Sequence, residues 1–117
     1  MPVISSASSI CRWPDQLTVD AAARRWADRE RRRHPELLRL GYFGSYARGD
    51  WGVGSDLDLI AVVSKDDRSF VDRPMDWDLM DLPVPAEILV YTQAEWERLR
   101  RKEGRFVRTL ESEAVWL

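Results

Sequence analysis

The run Leu57-Asp58-Leu59-Ile60-Ala61-Val62-Val63 constrains the fold more than any other stretch, because it is apolar at every position but one. A short apolar run of this kind reads as a buried strand. Leu37 to Phe43, bounded by Pro35 and Gly44, reads the same way. Between the two stand Gly44, Gly49, Gly52 and Gly54, too dense in glycine for a regular element of any length. Two buried strands joined by a functional-looking loop need one core around them. The chain of 117 residues, 44% hydrophobic with six tryptophans, can build that core but not two catalytic domains. A wholly disordered chain is excluded.

The flanking segments supply helices. Val19, Ala22, Ala23, Trp26 and Ala27 recur at helical spacing, which predicts an amphipathic helix over 18–33, capped by Thr18 and ended by Pro35. Residues 1–17, serine-rich and broken by Pro14, read as an irregular N-terminal arm, leaving 18–117 as a single domain. The outer helix face carries Arg24, Arg25, Arg29, Arg31, Arg32 and Arg33, either a solvated face or a surface for phosphate or a partner. Asp72 before Pro74 predicts a short helix over 73–81, closed by Pro83. Pro85 then fences off Glu87 to Tyr91 as a third strand. Thr92-Gln93-Ala94-Glu95 is a capping box, so a helix begins at Gln93 with Trp96 and Leu99 inward. Gly104 interrupts it, and Phe106, Val107 and Leu110 continue as a last helical segment. Trp51 and Trp116 have no obvious inward face and read as contact surface.

Charge and hydropathy remove several classes. Eighteen Lys and Arg against twenty Asp and Glu give a net charge of −2, which supplies no field for a dedicated DNA binder. No apolar run approaches the roughly 20 residues that span a bilayer, so no membrane partner is expected. The first ten residues lack a signal-peptide pattern, and the single cysteine, Cys11, has no internal partner. Both suit a cytoplasmic protein.

The chemistry concentrates in Gly44-Ser45 and, after ten intervening residues, Asp56-Leu57-Asp58. A Gly-Ser pair at a strand end lets backbone approach a ligand, and the amides and serine hydroxyl that follow form an anion cradle suited to a triphosphate. In the bland alternative, Ser45 merely caps a short helix. Asp56 and Asp58 are two apart at the mouth of a strand and project from one face, where hard oxygen ligands accept Mg²⁺ together with substrate phosphates. The neighbouring strand starts at Glu87, which can stand beside them as a third carboxylate or remain solvated. Three acids plus phosphates can hold two metal ions.

Gly44-Ser45-x-Ala47-Arg48-Gly49 followed by Ser55-Asp56-x-Asp58-Leu59 closely resembles the signature of the DNA polymerase beta-like nucleotidyltransferase superfamily, specifically its small branch, the minimal nucleotidyltransferases (MNT). Glu87-Ile-Leu-Val-Tyr91-Thr92, Glu95-Trp96, Phe106-Val107 and Val115-Trp116-Leu117 extend the resemblance over roughly residues 36–117. Two positions depart from the pattern: Glu87 stands where many members have aspartate, and Tyr46 occupies a variable position. The resemblance implies a small α/β (α+β) fold, a mixed β-sheet with helices packed on one face and the active site on the other. It implies transfer of a nucleoside monophosphate from an NTP, ATP in the first instance, to an acceptor hydroxyl, assisted by two Mg²⁺ ions or by Mn²⁺. Asp56, Asp58 and Glu87 would be the catalytic and metal-binding residues, with Gly44 and Ser45 on the β- and γ-phosphates. Arg48 would either pair with phosphate or form a structural ion pair.

Larger members carry added domains that bind the acceptor. The resemblance therefore points to an acceptor site supplied by a homo- or hetero-oligomeric partner, typically a helical HEPN-domain protein in a toxin-antitoxin pair. Three functions follow as alternatives: an enzyme that adenylylates its partner, a nucleotide-binding subunit that neutralises the partner by contact alone, and an RNA-binding accessory using the arginine face. Intact Asp56, Asp58 and Ser45 favour the enzyme.

Overall fold

Asp15 opens the first helix: its Oδ1 accepts the Thr18 N–H at 2.8 Å, and α1 (Gln16–Arg33) follows. The structure, a computed structural model, describes residues 13–102 and 104–117. Residues 1–12, with Cys11 and most of the expected N-terminal arm, lie outside the described residues. The helix thus starts two residues earlier than the apolar period indicates, because Thr18 is the residue being capped and not the cap.

Four strands form one mixed sheet in the order β3-β2-β1-β4. They are β1 (Leu37–Phe43), β2 (Leu57–Val63), β3 (Ala86–Thr92) and the two-residue β4 (Val115–Trp116). β1 runs antiparallel to both β2 and β4, while β2 and β3 are parallel. The helices are a single turn α2 (Ser45–Arg48) directly after β1, then α3 (Gln93–Arg101) and α4 (Arg105–Glu113). Register sets Phe43 opposite Asp58, Asp58 beside Glu87, and Tyr42 opposite Val115. The end of β1 therefore meets the beginnings of β2, β3 and β4, and every segment singled out for chemistry reaches the same end of the sheet.

β2 reads as continuously apolar because both of its faces are covered. Leu57, Leu59, Ala61 and Val63 pack with Val19, Ala23, Trp26 and Ala27 of α1. Ile60 and Val62, on the other face, pack with Trp96 of α3 and with Val107 and Leu110 of α4. Each fully buried Leu, Ile or Val among them contributes about 1.5–3 kcal/mol. The fold class stands as expected, a mixed sheet with helices, but the helices flank both faces and not one. Asp58 shares the face of Ile60 and Val62, so the acidic strand mouth opens toward α4.

The crossover from β2 to β3 corrects another expectation. Residues 73–81 hold only a 3₁₀ turn, Arg73–Asp76, in place of a helix. The segment is fixed by distant partners. Buried Arg73 donates to the Val90 carbonyl at 3.0 Å and bidentately to Glu95, at 2.6 and 3.2 Å. Trp77 stacks on His34 with centroids 4.0 Å apart, and the Trp26 indole donates to the Asp78 carbonyl at 2.6 Å. These long-range contacts outweigh the local helix signal of Asp72 and Pro74.

Both tryptophans read as contact surface are packed. Trp51 stacks on fully buried Tyr46, with centroids 5.8 Å apart. Trp116 lies against Gly41, where a Cβ would meet its ring at 2.8 Å, beneath the Arg39 guanidinium and edge-on to Trp96. The arginine face of α1 is largely paired: Arg24 with Asp20, Arg29 with Asp81, Arg31 with Asp28 and Arg33 with Glu30. Among the described residues no helix is long and apolar enough to cross a membrane.

Candidate active site

Gly44 makes the sharp exit from β1. Its φ of 79° and ψ of −154° suit only glycine, and a Cβ there would collide with Asp58 Oδ2. The backbone of the first loop residue and the carboxylate of the second acid are thus in direct contact. One helical turn follows, in which the Ala47 and Arg48 amides donate to the Gly44 carbonyl at 3.0 Å and Gly49 closes the turn in the left-handed region. Gly44 itself holds the N-cap position, with no side chain capping the turn, so Ser45 does not serve as its cap. Buried Tyr46 ties the turn down by donating its hydroxyl proton to the Pro14 carbonyl at 3.0 Å. Farther along, Ser55 Oγ accepts the Gly52 amide at 2.8 Å, and this turn hands the chain to Asp56 and β2.

The walls of a cleft of about 440 Å³ form around these groups. Gly44, Ser45, Arg48, Asp56 and Asp58 make one side; Phe106, Thr109, Leu110 and Glu113 of α4 make the other. Glu87 does not line the cleft, yet its place beside Asp58 in the parallel ladder brings its charge to bear. Burial raises the Asp58 carboxyl above its ordinary value, and the neighbouring charges of Glu87 and Asp56 add to that rise. Arg48 opposes them, while Glu113 reinforces them. Three carboxylates, Asp56, Asp58 and Glu113, thus line the cleft with Arg48. The donors are hard oxygens, the chemistry that suits Mg²⁺ or Mn²⁺. As the side chains lie, no group of three or more His, Cys, Asp or Glu among the described residues is arranged to hold a metal ion.

Glu113 is a site residue that sequence reasoning missed. Its Oε1 accepts the Gly44 amide at 3.1 Å and lies 3.4 Å from Arg48 Nη1. The chain order explains the contact: Gly41 pairs with Trp116 and Tyr42 with Val115, which brings the end of α4, two residues before β4, to the exit of β1 at Gly44. The only sequence signal for this was the apolar closing pair Val115-Trp116. Arg48 is held by Asp50 at 3.0 Å as well as by Glu113, so in this structure its guanidinium serves ion pairs.

Residues 24–117 match the nucleotidyltransferase domain family over most of the chain. The chain belongs to that family. Its fold is similar to the crystal structure of a protein from Sulfolobus solfataricus that carries a provisional nucleotidyltransferase description, with a TM-score of 0.57 and 24% identity. That likeness covers 71% of this chain and 75% of the other. No functionally curated protein matches the chain. A nucleotidyltransferase domain transfers a nucleoside monophosphate. The loop from Gly44 to Asp58 and the facing helix α4 are where this domain has an open cleft, a sharp glycine exit and clustered acids together.

Proposed function

We propose that the cleft binds a magnesium nucleoside triphosphate, ATP in our reading, and moves its monophosphate onto a hydroxyl of a partner protein, breaking the α–β phosphoanhydride bond and releasing pyrophosphate. The observation that carries this reading is the approach of the Asp56 and Asp58 carboxylates to the Gly44-Ser45 exit, which brings a seat for phosphate to the side of a seat for cations. Asp56 and Asp58 would hold the ion or ions, with Glu87 as the third carboxylate, and a bound divalent cation supplies charge neutralisation and a more acidic acceptor hydroxyl. The protein's own part is positioning. In this reading the Ser45 amide and hydroxyl orient phosphate oxygens, Asp58 stands against the Gly44 backbone, and we assign the acceptor's proton to Glu87, the strand neighbour of Asp58.

For the acceptor we favour a helical HEPN-domain protein, with this chain as the antitoxin of the pair, on the strength of the signature Gly44-Ser45 to Asp58. Coexpression of the neighbouring gene's product with and without this chain, followed by intact mass measurement, tests the transfer. A gain of about 329 Da per AMP supports it. An unmodified partner that still forms a complex supports the second reading, a nucleotide-binding subunit that acts by contact alone. One observation favours that alternative: Glu113 sits on the Gly44 amide.

A further inference from the structure

Glu113 is the last residue of α4, where the helix dipole disfavours a carboxylate, and the final turn of α4 carries no basic side chain to offset it. Its own helix therefore gives no reason for an anion at this position. The reason lies across the cleft: the Gly44 N–H donates to Oε1 at 3.1 Å, and Arg48 Nη1 stands 3.4 Å away. Only 16% of the Glu113 side-chain surface is exposed, so the contact is an enclosed one. These two donors, a backbone amide at a glycine exit and a guanidinium, are the groups that an anionic ligand in the cleft would use. A carboxylate already uses both.

We propose that Glu113 is a built-in competitor for the nucleotide's phosphates, a self-supplied anion that must leave before the triphosphate can seat. This deepens the nucleotide-binding reading above and rests on it. The arrangement couples occupancy of the cleft to the C-terminal segment, because Glu113 stands two residues from β4, which pairs with Gly41 and Tyr42 of β1. Release of the carboxylate also removes a negative charge from the neighbourhood of Asp58, to whose electrostatics Glu113 contributes. Departure of Glu113 thus clears two donors and lowers repulsion toward a polyanion in one movement.

Calorimetric titration of Mg-ATP into the parent chain, Glu113→Gln and Glu113→Ala is the experiment, with thermal unfolding followed on the same preparations. The glutamine variant keeps the shape and the acceptor oxygen, so it guards against simple misfolding of the alanine variant. Glu113→Ala, which clears both donors, is expected to bind Mg-ATP roughly tenfold more tightly than the parent, and Glu113→Gln, which loses the charge but keeps an acceptor, to tighten in the same direction by less. Unchanged affinity overturns the inference and leaves Glu113 as a strut between α4 and the loop. Weaker affinity also overturns it and moves Glu113 among the groups that hold the cation. If the parent and both variants all fail to bind Mg-ATP, the nucleotide reading itself falls, which separates that failure from failure of the competitor role alone.

Discussion

Glu30 and Asp58 are both carboxylates withdrawn from water, and their surroundings are opposite. Glu30, on α1, is fully buried and answered on every side: Arg33 Nη1 donates to both oxygens at 2.9 and 2.7 Å, and the Asp78 amide donates at 3.1 Å. Asp58, at the mouth of β2, is partly buried and faces Glu87, Asp56 and Glu113, with Arg48 as its cationic neighbour. A carboxylate that is satisfied by its own fold is structural. One that is placed among like charges costs the fold energy, and in our proposal that cost is offset by the cation to be bound there.

Substitutions should split the two carboxylates cleanly. Glu30→Ala orphans the Asp78 amide, releases Arg33 and leaves a void, so it should cost about 2–4 kcal/mol of stability in a denaturant titration. Nucleotide affinity per folded molecule should not move. Ser45→Ala is expected to behave in the reverse way. With Gly44 in the cap position the unfolding midpoint should stay put, while Mg-ATP affinity drops by about 1.5–3 kcal/mol. A lowered midpoint with unchanged affinity would instead make Ser45 a structural residue. Gly44→Ala crosses the divide, since it strains the backbone and displaces Asp58 together. It should lose about 1–3 kcal/mol of stability and also weaken binding, measured by unfolding and titration in parallel.

The smallest effect is on pH dependence. Because the fold raises the Asp58 pKa, the native state holds that proton more tightly than the unfolded chain, so this residue penalises stability above its folded pKa. The penalty is relieved as pH falls through that value toward the ordinary aspartate range. Glu95 works the other way: Arg73 holds its carboxyl below the usual value, and the stability this brings is lost as pH falls through the lowered value. Unfolding midpoints of the parent and Asp58→Asn, compared across the acid range, should converge toward low pH. Curves that stay parallel would contradict the assignment.

Much of the scaffold was legible because local and global signals agree. The apolar runs at 37–43 and 57–63 became strands with the same bounds, and both halves of the Thr92-Glu95 capping box are present. The sharp Gly44 exit and the pairing of Asp56 with Asp58 at one strand mouth were equally readable, being carried by residues close in sequence. What failed depended on distance. The helix expected over 73–81 gave way to a turn because Arg73 finds Glu95 and Trp77 finds His34, partners that no local pattern announces. Trp116 turned inward because Gly41 leaves room for it. Glu113 entered the site because the two-residue strand after it docks on β1, a feature too short to leave a period in the sequence.

The claim at the centre of this account is that Asp56 and Asp58 are kept together for a cation-bound nucleotide and not for the fold. Titration of Mg-ATP into the parent and into the Asp56→Asn, Asp58→Asn double variant, with unfolding midpoints taken on the same samples, tests it most directly. The account predicts binding by the parent, none by the double variant, and a midpoint that is equal or higher once two like charges are gone. A double variant that binds Mg-ATP as tightly as the parent would contradict it.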